Sequence, residues 1–133
     1  MALQLSTTVR NARLDAIETA IGASAVLKMR TGAAPANCGT ADSGTVVSTI
    51  NLPSDWLAAA NSGSKAMSGS WADASADATG VMAHFRVYAS DGTTCHMQGT
   101  VGTSGADMIV DNTSVNAGQS FTITGFTLTD ANA

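Results

Sequence analysis

The residues best suited to chemistry in this chain run consecutively as Cys95, His96 and Met97, with His84 on the segment that reads as their hairpin partner. Thiolate, thioether and imidazole together suggest copper or zinc. Both histidines fall in the polar phase of their strands and could meet across the turn. A zinc site needs three or four ligands, however, and Cys95 and Met97 alternate to the face opposite His96. The ligand count therefore favours two surface histidines, and no metal or other cofactor is expected.

The carboxylates point the same way. Asp73 and Asp77 in DASADATG could form a glycosidase pair or a calcium loop, but nothing around them completes the calcium spacing. Asp91, Asp107, Asp111 and Asp130 lie in loops or at strand ends, where Asp serves turns and caps. No GxSxG, GxxxxGK[ST] or GxGxxG occurs, so neither histidine has a legible nucleophile beside it, and the chain reads as a non-enzyme. Trp56, Trp71 and Tyr88 could form a sugar platform, although isolated aromatics more often pack a core. Asn112-Thr113-Ser114 matches a glycosylation acceptor that matters only in a eukaryotic secretory setting. Cys38 and Cys95, 57 positions apart, are the candidate disulfide. In a chain made in the cytosol they stay thiols by default, and outside a cell they could oxidise if their Cα atoms come close enough.

These side chains must be positioned by one helix and a set of strands. Ser6, Thr7 and Thr8 offer N-caps, and VRNARLDAIETAIG places Arg10, Leu14, Ile17 and Ile21 on one stripe before Gly22 stops the helix. Leu14, Ile17 and Ile21 are the candidate docking face of an amphipathic helix at residues 8–21, to which Leu3 and Leu5 add apolar surface. Residues 1–22 thus read as a helical docking arm and residues 23–133 as the main domain.

From Ser24 the period switches to alternation. Strands are expected over 25–30, 45–52, 65–72, 81–89, 94–101, 107–111 and 120–128. A loop from Thr31 to Gly44 carries Cys38, a turn at Ser90–Thr93 closes a hairpin, and Gly125 marks a bulge because Phe121 and Ile123 are out of phase with Phe126 and Leu128. Pro53–Asp55 opens WLAAAN, which reads as a short helix acting as a lid over one end of the core. With about seven strands, turn-rich connections and no regular alternation with helices, the fold class is mainly β: an antiparallel sandwich or jelly-roll-like barrel behind one N-terminal amphipathic helix.

Composition narrows the function classes. The 133 residues carry a net charge of −4, only 12% are charged, and Ala, Thr, Ser and Gly fill 68 positions. The six basic residues, Arg10, Arg13, Lys28, Arg30, Lys65 and Arg86, are scattered, which argues against nucleic acid as a partner. No apolar run approaches a membrane span, and MALQLSTTVR lacks the regions of a signal peptide, so neither a membrane partner nor general secretion is expected. Leu, Ile, Val and Phe together number 24, a thin core that association with other copies would reinforce.

Four segments, STTVRNARLDAIETAIG, VLKMRTGAAPANC, LPSDWLAAA and VNAGQSFTITGFTLTDANA, together resemble small virion proteins of tailed bacteriophages over nearly the whole chain. The resemblance implies a structural component of the particle, most like a capsid decoration or cement protein. Such a protein is a homo-oligomer, often a trimer, that binds the major capsid protein on the capsid surface and is made in the host cytoplasm. The alternative is a tail or head fibre module, a receptor-binding β-domain recognising a host surface glycan.

Overall fold

The computed structural model describes residues 3–131. One helix, α1 (Thr7–Ile21), precedes ten strands: β1 (Val26–Arg30), β2 (Val46–Asn51), β3 (Ser64–Ala66), β4 (Ala72–Asp73), β5 (Gly80–Val81), β6 (His84–Tyr88), β7 (Cys95–Gly102), β8 (Met108–Val110), β9 (Ser114–Val115) and β10 (Phe121–Thr129). The fold is mainly β behind one helix, as the patterning predicts. Its layout is one curled sheet, a half-barrel in the order β2-β1-β6-β7-β8-β10-β3, with β4 also on β10 and β5–β9 a separate pair. Every pairing is antiparallel except β7–β8, where Val101 meets Met108 and Gly102 meets Ile109 in parallel. That short parallel step has no signature in alternation, which is the same for both strand directions. Among the described residues, no helix is long and apolar enough to cross a membrane.

Capping chemistry fixes α1 as expected. Ser6 Oγ accepts the Val9 N–H at 3.3 Å, and Gly22, at φ 101°, donates its N–H to Glu18 O at 2.9 Å. The expected docking face is used within the chain: Leu14 and Ile21 are buried, and Ile17 packs on the sheet core. An apolar stripe beside an open half-barrel finds its nearest cover in its own chain, so α1 is seated on the β-domain and does not project from it, while Leu3 ahead of it is exposed.

The core is held by a run of rings. Trp56 and Trp71 lie 6.0 Å apart, Trp71 and Phe126 5.6 Å, and Phe85 meets Phe126 edge-on at 5.6 Å. Both indole N–H groups are satisfied, Trp56 by Gly22 O and Trp71 by Ser68 O. The Gly125 bulge is present on β10, where the register shifts between Ile123 and Gly125, and it lets Phe121, Ile123 and Phe126 all face inward.

The helix expected over WLAAAN does not form. Both partners of its first helical bond are engaged elsewhere, Ala60 N–H on Asp15 Oδ1 at 3.0 Å and Trp56 O on Ser68 N–H at 2.9 Å, while Leu57 N–H goes to Glu18 Oε1 at 3.1 Å. Ala58 N–H goes to Ala66 O, and Leu57 and Asn61 make bridges to Met67 and Ser64. The segment is extended, with Trp56 and Leu57 plugged into the core.

Candidate functional site

The densest polar assembly lies on the outer face of β1, β6 and β7. Residues 31–44 cross that face as a strap. Beneath it stand Arg30, His84, Arg86 and Tyr88, all buried; on the inner face the same strands bury Leu27, Met29, Phe85 and Val87. Strand β6 is therefore covered on both sides.

Arg86, 2% exposed, organises the strap. Its Nη1 donates to Asp42 Oδ1 at 2.6 Å, and its Nη2 donates to Asn37 O at 2.9 Å and Thr40 O at 3.0 Å. Gln98 Oε1 accepts from both Nε and Nη2, while Gln98 Nε2 donates to Pro35 O at 2.6 Å. Arg30 Nη2 reaches Asp42 Oδ2 at 2.8 Å, and Tyr88 O–H donates to Asp42 Oδ1 at 2.7 Å. One carboxylate thus accepts from two guanidiniums and a phenol, a bidentate use for which Arg is better shaped than Lys. The strap closes where Gly44, at φ 71°, backs onto Thr31; a Cβ there would stand 2.0 Å from Thr31 O, so only glycine fits.

A second clamp seats α1. Lys65, 2% exposed on β3, donates to Asp15 Oδ1 at 2.7 Å and Ala58 O at 2.9 Å and lies 3.1 Å from Glu18 Oε2. Its three ammonium hydrogens have three acceptors. Further along the helix, Gly63 N–H donates to Asn11 Oδ1 at 2.8 Å, Arg10 Nη1 donates to Asp130 O at 3.0 Å, and Arg13 Nε lies 3.3 Å from Asp130 Oδ2.

Protonation follows these contacts. The Lys65 hydrogen bond, then the Ala60 N–H, holds the Asp15 carboxyl below its ordinary value. Burial would raise Asp42, but hydrogen bonds from Tyr88 and Arg86 and the charge of Arg30 outweigh it and hold it low. Burial would lower Lys65, yet its bonds to Asp15 and Glu18 raise it above 10.5. Burial and the bond to Asp42 raise Tyr88 above 10.0.

Depressed carboxyls contribute stability that is complete above their unfolded value, 3.8, and is lost as pH falls through the folded one. Raised groups contribute below 10.5 for Lys65 and 10.0 for Tyr88, and that contribution is lost at higher pH. Urea midpoints measured against pH should therefore show a plateau bounded by a fall below about 4 and another above about 10. A midpoint that keeps rising below pH 4 would contradict the assignment.

The sequence-predicted site residues are dispersed. His84 pairs with Thr100 under the strap, its Nδ1 donating to Gly32 O at 2.7 Å, whereas His96 is exposed. The register set by the turn, with Ala89 N–H on Thr94 O, already separates them, and a bulge opposite Val87/Tyr88 adds one position: Val87 meets Met97 and Tyr88 meets Cys95, leaving His96 as the extra residue. Met97 turns to the core, while Cys95 shares the outer face with Tyr88, so the expectation that Cys95 and Met97 share a face is overturned. The expectation that His84 lies at the surface is overturned by the strap. Among the described residues, no three metal-ligating side chains gather.

Trp56, Trp71 and Tyr88 are buried, which removes the sugar platform. Asp73 accepts from Ser48 Oγ and Ser75 N–H, and Asp91 accepts from Thr93 N–H, Thr94 N–H and Thr94 Oγ1, the turn roles expected of them. Cys38 and Cys95, the candidate disulfide, are free thiols, and they do lie together. Sequence reasoning missed Arg30, Arg86 and Asp42. The available signal was HFRVY, five sizeable residues in a row in a chain poor in bulk, which implies cover on both faces. Compared with family models, with curated proteins and with solved structures, the chain matches none of them.

Proposed function

We propose that this chain is a structural subunit of a tailed-phage particle that binds the capsid exterior and cements it, without catalysis, as a homo-oligomer and most simply a trimer. The observation that carries the reading beyond the sequence resemblance is the outer face of β10. Thr122, Thr124, Thr127 and Thr129 are all exposed there, and their strand neighbours Ala66 and Ala72 extend an uncharged surface of small and β-branched side chains. Such a face suits close packing against another protein, and the charge at its edge is the exposed Asp111 carboxylate, which accepts the Thr122 N–H at 3.0 Å. Arg30, Arg86 and Lys65 meanwhile spend their charge inside the chain. Modest contacts repeated over a shell would sum to a large stabilisation.

The test is add-back to capsids stripped of the chain. Wild-type protein should restore resistance to heat and low salt, and a Thr124→Arg/Thr127→Arg variant that melts like the wild type should restore none, because each Arg brings a charge into the contact. Stripped capsids as resistant as complete ones would refute the reading. Binding of the isolated protein to a glycan array would replace it with a receptor-binding module.

A further inference from the structure

Three features bring Cys38 and Cys95 together from 57 positions apart in the chain. Gln98 holds Pro35 O, and Arg86 Nη2 holds Asn37 O and Thr40 O, so residues 35–40 are fastened over β6 and β7. The β7 bulge turns Cys95 to that same outer face, opposite Tyr88. Cys38, between the two carbonyls on Arg86, is thereby placed beside Cys95, whose thiol donates to Met97 O at 3.5 Å, and both cysteines are half-buried.

We infer that Cys38 and Cys95 are a redox latch, a dithiol that closes into one intramolecular disulfide on meeting a low-molecular-weight disulfide such as oxidised glutathione, and thereby pins the strap to β7. The inference stands whether or not the chain belongs to a capsid.

The exchange is balanced. The Cys38 thiolate attacks one sulfur of oxidised glutathione, whose S–S bond breaks, and the departing glutathione thiolate takes up the proton that Cys38 gave to solvent. Cys95 then loses its proton and attacks the Cys38 sulfur, expelling the second glutathione as its thiol. Two protein thiols are oxidised and one glutathione disulfide is reduced to two thiols. The order follows from environment: burial, reinforced by Cys38 itself, pushes the Cys95 thiol up to about 11, which disfavours Cys95 as the first nucleophile.

The test equilibrates the purified full chain, and Cys38→Ser and Cys95→Ser variants, with oxidised glutathione, followed by an acid quench, N-ethylmaleimide and intact mass. The wild type should lose about 2 Da, carry neither glutathione nor maleimide, and melt about 10 °C higher than its reduced form, because the closed loop is long. Each single variant should retain one glutathione, and Cys38→Ser should acquire it about tenfold more slowly. Wild type that ends with glutathione on either cysteine, with two maleimides, as a disulfide-linked dimer, or oxidised with no rise in melting temperature overturns the latch. The wild-type masses and melts alone decide between these outcomes, so neither variant has to fold for the latch to be tested.

Discussion

Replacing Arg86 with Met should lower stability by about 2–4 kcal/mol, mostly the cost of leaving covered strap carbonyls unbonded, since Asp42 is 37% exposed and water screens what that carboxylate loses. Methionine fills much of the aliphatic volume, so the loss is one of hydrogen bonds. The Arg86 guanidinium is the donor that holds Asn37 O and Thr40 O and shares Asp42 with Arg30. Without it, two strap carbonyls and Gln98 Oε1 are covered but unbonded, and Asp42 keeps only Arg30 and Tyr88. The strap should lift before the sheet melts. Amide exchange over residues 33–43 should therefore accelerate ahead of β1 and β6, and limited proteolysis should cut there first. Arg86→Lys should fall between, since an ammonium keeps the charge but cannot reproduce the fork. Urea melts of the three proteins check the ranking, and a Met variant within 1 kcal/mol of wild type would show that the strap is held by something else.

Lys65→Met should cost about 2–3 kcal/mol, less than a fully buried pair because Asp15 is half exposed and water screens what it loses. The effect should fall on α1. Asp15 and Glu18 would face each other with no cation between them while still holding the N–H groups of Ala60 and Leu57. Helix amides should exchange faster and helical ellipticity should fall with the sheet intact. The gap between variant and wild type should also narrow in acid. Lys65 is the largest cause of the depressed Asp15 carboxyl and the Ala60 N–H a lesser one, so wild-type stability is lost as pH falls through that depressed value and the variant has less of it to lose. A gap unchanged down to pH 3 would exclude the clamp as its origin.

Alternation carried most of the sheet into view. VLKMR, HFRVY and FTITGFTLT form strands where their patterns put them, and the Gly125 bulge is legible because two aromatic-aliphatic pairs are out of phase around it. The outer half of the architecture was not legible. A Lys or Arg in the polar phase of a strand looks the same whether water or a loop covers it, so Arg30 and Arg86 read as solvated. Nothing local distinguishes Asp42, the one carboxylate in the strap, from an ordinary loop aspartate. WLAAAN is a sound helix by propensity, and it is extended because distant groups take its bonds: Asp15 holds Ala60 N–H, Ser68 N–H holds Trp56 O and Ala66 O holds Ala58 N–H. The His84–His96 pairing fails on register: the turn that bonds Ala89 N–H to Thr94 O puts residue 99 opposite His84, and a bulge with no glycine to mark it moves that partner one further, to Thr100.

The contact between Arg10 and Asp130 joins residues 120 positions apart, and it sets the order of events at the ribosome. Among the described elements the helix is made first and is among the last that can be seated. Lys65 must arrive before Asp15 and Glu18 have a cation, and Asp130 before Arg10 and Arg13 have their partner. At about 5–20 residues per second, the apolar side of α1 waits roughly 6–24 seconds for its complete cover. During that interval Leu14, Ile17 and Ile21 present the surface that the finished chain hides, so a nascent-chain chaperone has one defined target, available only until the chain as far as Asp130 has emerged.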